Sequence, residues 1–200
     1  MLFIIKMTSQ SLSSTCKKMA IDKLPVDEGL NSFSTGVGMY PTFTLISDMK
    51  SDMVQYYINA DRSHFDLLNW KLFLMNDGKP KHCIDLGGNI GAYSLHMARL
   101  GCYSHYFEMQ QKLVKFATYS VHANSLQNNI TVYHVGVSDK RDTMTLCGDG
   151  GTAYLGKLDS NCNNNVSVVL GDDCLSPTTY AIGIAITITI TIINDIYYYC

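Results

Sequence analysis

From residue 82 onward, short apolar runs alternate with stretches of helical period. His82 to Leu86 has the look of a short buried strand. Gly91 to Leu100 carries apolar residues at helical spacing and is closed by Gly101. Cys102 to Phe107 predicts a second strand. Gln110 to Asn124 predicts a second helix that buries Leu113, Phe116, Ala117 and Val121. Ile130 to Val137 predicts a third strand, and Thr143 to Cys147 a further short one. Strands and helices alternating at this spacing imply right-handed crossovers and a parallel sheet. The fold class expected is therefore α/β, a Rossmann-like, doubly wound, mostly parallel sheet with helices on both faces.

Upstream the pattern is weaker. Residues 1–35 are Ser/Thr-rich with little periodicity and read as a loosely ordered lead-in. Phe43 to Ile46 reads as a short strand. His64 to Met75 reads as a helix capped by Ser63 and stopped at Asn76-Asp77-Gly78-Lys79-Pro80. Downstream, residues 148–165 form a Gly- and Asn-rich loop, and Val166 to Leu170 a last apolar strand. After Pro177 the composition changes abruptly to an Ile/Thr repeat, Ala181 to Ile193, followed by Ile196-Tyr197-Tyr198-Tyr199-Cys200. The organisation expected is a lead-in (1–35), an incomplete α/β domain (36–175) and a low-complexity tail (176–200).

Composition narrows the function classes. Hydrophobic residues are 46% and charged residues 16%, which excludes a mostly disordered chain. The net charge of −2 carries no basic bias, so no nucleic-acid partner is expected. The tail's apolar run of 13 residues falls short of the roughly 20 that a helix needs to span a bilayer, so no membrane span is expected. Seven cysteines include no CxxC pair and no Cys/His cluster, so no metal site is expected. They read as reduced, partly buried thiols, and with no secretory signal read at Met1-Leu2-Phe3-Ile4-Ile5-Lys6 the cytoplasm is favoured. Asn129-Ile130-Thr131 and Asn165-Val166-Ser167 match the glycosylation acceptor pattern, which matters only in a secreted chain. His82, His96, His105, His122 and His134 show no ligand spacing and read as structural.

The candidate chemistry lies in Cys83-Ile84-Asp85-Leu86-Gly87-Gly88-Asn89-Ile90-Gly91. A strand ends near Asp85, a glycine-rich turn follows and a helix begins at Gly91. Glycines let the backbone approach a ligand closely, and a helix N-terminus offers free N–H groups and a positive dipole end. Glu108 follows the second strand, 23 positions beyond Asp85. An acidic residue there can accept ribose hydroxyls of an adenosine ligand. These features admit a dinucleotide or S-adenosyl-L-methionine. The glycine spacing departs from the G-x-G-x-x-G dinucleotide fingerprint and favours the second.

Ile84-Asp85-Leu86-Gly87-Gly88-Asn89-Ile90-Gly91-Ala92-Tyr93-Ser94 resembles the FkbM motif of class I methyltransferases, I-D-[IV]-G-A-N-I-G-x-[FY]-S. Gly88 stands where the family usually has Ala. Tyr106-Phe107-Glu108 resembles the family's F-E-P, with Met109 in place of proline. Asn124, the run Val135-Gly136-Val137-Ser138-Asp139, and Val168-Val169-Leu170 with Asp172-Asp173 resemble later family elements. The resemblance covers roughly residues 82–175. It implies S-adenosyl-L-methionine as cofactor, held by Asp85, Gly87, Gly88, Asn89, Gly91 and Glu108, with Ser138 and Asp139 near the adenine. It also implies methyl transfer to the oxygen or nitrogen of a small-molecule or glycan-type acceptor. No catalytic residue is assigned.

The resemblance stops at the tail. A family member continues into a strand carrying K-x-D-x-E-G, and this sequence has no such motif. The tail reads either as a divergent terminus or as translated non-coding sequence; its simple repeat and abrupt onset favour the second. An inactive enzyme that self-associates through the Ile/Thr run is then the expectation. The alternatives are an NAD-dependent oxidoreductase half-domain and a non-catalytic binding module.

Overall fold

The computed structural model describes residues 2–5, 29–35, 41–48, 82–138, 142–147, 154–156 and 162–170. The helix read over His64 to Met75, residue Asp139 and the Ile/Thr tail lie outside them. The strands are β1 (Leu2–Ile5), β2 (Asn31–Ser34), β3 (Thr44–Ser47), β4 (His82–Leu86), β5 (Tyr103–Glu108), β6 (Ile130–His134), β7 (Gly136–Ser138), β8 (Asp142–Cys147), β9 (Tyr154–Gly156) and β10 (Cys162–Leu170). The described helices are α1 (Ala92–Arg99), between β4 and β5, and α2 (Gln111–Ala123), between β5 and β6.

The centre of the fold is β4-α1-β5-α2-β6. The three strands pair in parallel, with Asp85 opposite Tyr106 and Tyr106 opposite Val132. Because a parallel pair needs a crossover, each connection carries a helix. Both helices pack on one face of the sheet. Leu95, Ala98, Val114, Phe116, Ala117 and Val121 meet Tyr106, Ile130 and Val132 there, in a core that also takes in Phe43 and Leu45. This bears out an α/β chain with three parallel strands; both described helices lie on one face, where the sequence pattern led to helices on both.

Both helices end in the same way. Gly101 adopts a left-handed φ of 92°. Its N–H bonds Ala98 O at 3.0 Å, and Cys102 N–H bonds Met97 O at 3.0 Å. Beyond α2, Ser125 is left-handed at φ 57°, with Ser125 N–H on His122 O and Leu126 N–H on Val121 O, each at 3.0 Å. Each arrangement satisfies carbonyls that a helix end would otherwise leave unpaired. The first delivers Cys102 beside Cys83, and the two form a disulfide with Cα atoms 6.3 Å apart. Cys147 on β8 is disulfide-bonded as well. The reading of these cysteines as reduced thiols is thereby corrected. Sequence spacing could not reveal the bond, because only the crossover brings Cys83 and Cys102 together.

Several elements differ from the sequence reading. The third strand breaks at Val135, whose N–H bonds Glu108 O at 3.0 Å, and its continuation, β7, joins another sheet. That sheet has the order β7-β10-β8-β9, with β10 parallel to β7 and antiparallel to β8. The stretch read as a loop over 148–165 contains β9 and the first part of β10. The lead-in contains β1 and β2. β1 lies antiparallel on β4, giving the order β1-β4-β5-β6. No helix among the described residues is long and apolar enough to cross a membrane.

Candidate functional site

The glycine turn stands at the carboxyl end of β4, and three of its residues have positive φ: Gly87 at 66°, Asn89 at 52° and Gly91 at 84°. That region is closed to most side chains and open to glycine; asparagine tolerates it. Gly88 needs its hydrogen for a different reason. A Cβ there would stand 2.4 Å from Cδ2 of Tyr106 and 3.1 Å from Oδ2 of Asp85. Gly88 N–H bonds Phe107 O at 3.0 Å, and Gly91 N–H closes the turn on Gly88 O at 2.8 Å. Gly91 then starts α1, with Leu95 N–H on its carbonyl at 2.9 Å.

Two carboxylates support this turn. Asp85 is 2% exposed and lies beneath it. Its Oδ2 accepts Ser94 N–H at 3.1 Å and Ser94 Oγ–H at 2.7 Å, and the Ser104 hydroxyl stands 2.9 Å from that of Ser94. Asp85 thus ties the end of β4 to the first turn of α1. Glu108, at the end of β5, is 4% exposed. Its Oε1 accepts the N–H groups of Met109 and Gln110 at 2.8 and 2.9 Å, and its Oε2 accepts Asn89 N–H at 3.0 Å. A carboxylate has about four acceptor positions, so the three bonds leave one on Oε2. Burial raises the pKa of both carboxyls, against the lowering effect of their hydrogen bonds.

Tyr106 sits between them. It is fully buried, and its hydroxyl donates to Asn89 O at 2.5 Å. Burial, then the charges of Glu108 and Asp85, push its pKa well above the usual phenol value, so it stays a donor. The sequence reading did not single out this residue. The available signal was strand alternation, which places Tyr106 on the same face as Glu108.

A narrow crevice opens beside the turn, walled by Leu86, Gly87, Phe107, Glu108, Met109 and Val137. Its free volume of about 20 Å³ has room for no more than about one water, so a nucleoside enters only if the walls part. Asn89 Oδ1 is buried with no hydrogen-bond partner, an orphaned acceptor in the turn itself. A wider cavity of about 330 Å³ lies elsewhere, against Gly29, Leu30, Gln111 and Phe116. None of the predicted site residues lines it.

The structure therefore brings Asp85, Gly87, Gly88, Asn89, Gly91 and Glu108 together. Ser138 ends β7, directly after the crevice wall at Val137, with its backbone opposite Leu170. Asp139 lies outside the described residues. Asn124, the family-like asparagine, is remote from the turn and bonds both backbone groups of Thr44. No metal-holding group of three His, Cys, Asp or Glu occurs among the described residues.

No protein-family model and no curated protein matches the chain. Among solved structures, a SAM-dependent methyltransferase from Agrobacterium tumefaciens is similar to 57% of the chain, at 14% identity and a TM-score of 0.41. The chain spans 35% of that structure's length.

Proposed function

We propose that this chain binds S-adenosyl-L-methionine at the glycine turn, as the cofactor half of an FkbM-like methyltransferase acting on an oxygen or nitrogen acceptor. The observation that carries the reading is the Glu108 carboxylate, held against the glycine turn by Asn89 N–H at 3.0 Å, at the carboxyl ends of adjacent parallel strands. The orphaned Asn89 Oδ1 and the remaining acceptor position of Glu108 fit a ligand that brings hydroxyl and ammonium donors.

In this reading Gly87 keeps the approach to the backbone open, Gly88 leaves room for the Tyr106 ring beneath the turn, and Glu108 receives a ribose hydroxyl. Asp85 acts through Ser94 by fixing the turn on α1. When bound, the cofactor supplies a methyl group made electrophilic by its sulfonium. The chain's own part is binding and orientation, which is a large share of what such a transfer needs. The acceptor proposed is a small molecule or glycan-type group.

Titration calorimetry with S-adenosyl-L-methionine, S-adenosylhomocysteine and NAD tests this. The first two should bind and NAD should not. Glu108→Gln should weaken binding on the order of tenfold or more, since a hydrogen bond to a charged group contributes roughly 1.5–3 kcal/mol. Gly87→Val should abolish binding, because a β-branched residue is strained at positive φ. Preference for NAD, or an unchanged dissociation constant for Glu108→Gln, would sink the reading.

A further inference from the structure

We propose that Asn129 is an N-glycan acceptor in a chain that folds in an oxidising, glycosylating compartment. The proposal is independent of the cofactor reading. Two observations meet in it. The first is the oxidation state of the cysteines. Cys83 and Cys102 are bonded across the β4-α1-β5 crossover, both at most 1% exposed, and Cys147 is bonded too. Disulfides built into a buried core persist where the surroundings are oxidising and are rare where glutathione and thioredoxin keep thiols reduced. In each such bond two thiols lose two protons and two electrons. A disulfide-donating oxidoreductase of that compartment accepts them and is reduced to its dithiol.

The second is where the acceptor sequence falls. Asn129-Ile130-Thr131 begins in the turn between α2 and β6, where Gln127 and Asn128 are exposed and Asn129 is half-buried. Its backbone is committed: Asn129 N–H bonds Leu126 O at 2.9 Å, and its carbonyl accepts Ser104 N–H at 2.7 Å. Its side-chain amide has no hydrogen-bond partner among the described residues. The turn precedes β6, at the pole opposite the carboxyl ends that carry the glycine turn, so a bulky glycan there leaves the crevice clear. The other match, Asn165-Val166-Ser167, lies within the nine-residue strand β10, with Asn165 paired to Thr145 of β8. A glycan carrier belongs on a surface turn rather than in a paired strand.

The chemistry is transfer from a lipid-linked oligosaccharide diphosphate. The Asn129 amide nitrogen forms a bond to the sugar's anomeric carbon, the bond from that carbon to the phosphate oxygen breaks, and the lipid diphosphate leaves. The amide gives one proton to the transferase's base.

The test uses the full chain expressed in cultured animal cells, analysed with and without peptide-N-glycosidase. We expect a single mobility step that the glycosidase removes. Asn129→Gln and Thr131→Ala should lose the step; Thr131→Ser and Asn165→Gln should keep it. Retention in Thr131→Ser separates loss of the acceptor pattern from misfolding. Peptide mapping without reduction should recover Cys83 linked to Cys102. An unshifted chain, a step that survives Asn129→Gln, or a Cys83 and Cys102 pair that alkylates without reductant would each overturn the proposal.

Discussion

At the scale of single residues, the glycine turn is shaped as much by Tyr106 as by its own glycines. The ring fills the space that a methyl group on Gly88 would need, with no room to retreat at 0% exposure. This gives the glycine at position 88 a physical cause. Alanine at that position requires a neighbour set back from the turn. Gly88→Ala should therefore cost about 1–3 kcal/mol, the range for overpacking a filled core. Part of that cost should return in the double variant with Tyr106→Leu, which removes the obstructing ring. Urea unfolding of the two singles and the double measures the coupling. A Gly88→Ala chain as stable as the parent would show that the turn yields elsewhere. The positions of the glycines and Asp85 were legible because they fall in one contiguous strand–turn–helix, and that of Glu108 because it ends the next strand of the alternating pattern. Tyr106 and Ser94 act across the sheet and the turn, and their roles are visible only once Asp85 has a place.

At the scale of elements, what was legible is what local pattern controls. The β4-α1-β5-α2-β6 series follows from apolar period and from Gly101 at a helix end. The break at Val135 does not, because a strand that changes sheets keeps its alternation. The start of β10, Cys162-Asn163-Asn164-Asn165, reads as loop by composition, and its pairing with β8 overrides that preference. The junction of β3 with α2 was equally hidden. Asn124 Oδ1 accepts Thr44 N–H at 2.9 Å, while its Nδ2 donates to Thr44 O and Ser120 O, each at 2.7 Å. The Ser120 hydroxyl accepts Ile46 N–H at 2.8 Å in the same seam. Asn124→Ala leaves both backbone groups of Thr44 without these partners in a part-buried site. A loss of about 1–3 kcal/mol is expected. Hydrogen exchange should show β3 opening first; uniform protection across β3 and β5 would argue that apolar packing of Phe43 and Leu45 alone holds it.

At the scale of the whole molecule, the question is what covers the free side of β4. In the doubly wound order the first strand is interior, with a further parallel strand on the side away from the second. Here β10, the strand with the family-like apolar run, pairs with β7 and β8, and the N-terminal β1 lies antiparallel on β4 with Leu2 opposite Asp85 and Ile5 opposite His82. β1 thus covers an edge that would otherwise present unpaired N–H and C=O groups beside the glycine turn. We propose that the Ile/Thr run from Ala181 to Ile193, uncharged, proline-free and without a feature that fixes one register, is a second source of association. The two sources separate by deletion. Removing residues 2–6 should expose β4 and shift the chain toward dimers and larger species in light scattering. Removing residues 178–200 should have the opposite effect and raise the soluble fraction. Removing both should leave association through the β4 edge alone, weakened by a charged residue placed on that edge, such as His82→Lys. If the deletion of 2–6 leaves the mass distribution unchanged, β1 is not the cover of this sheet, and the edge of β4 is protected by some other part of the chain.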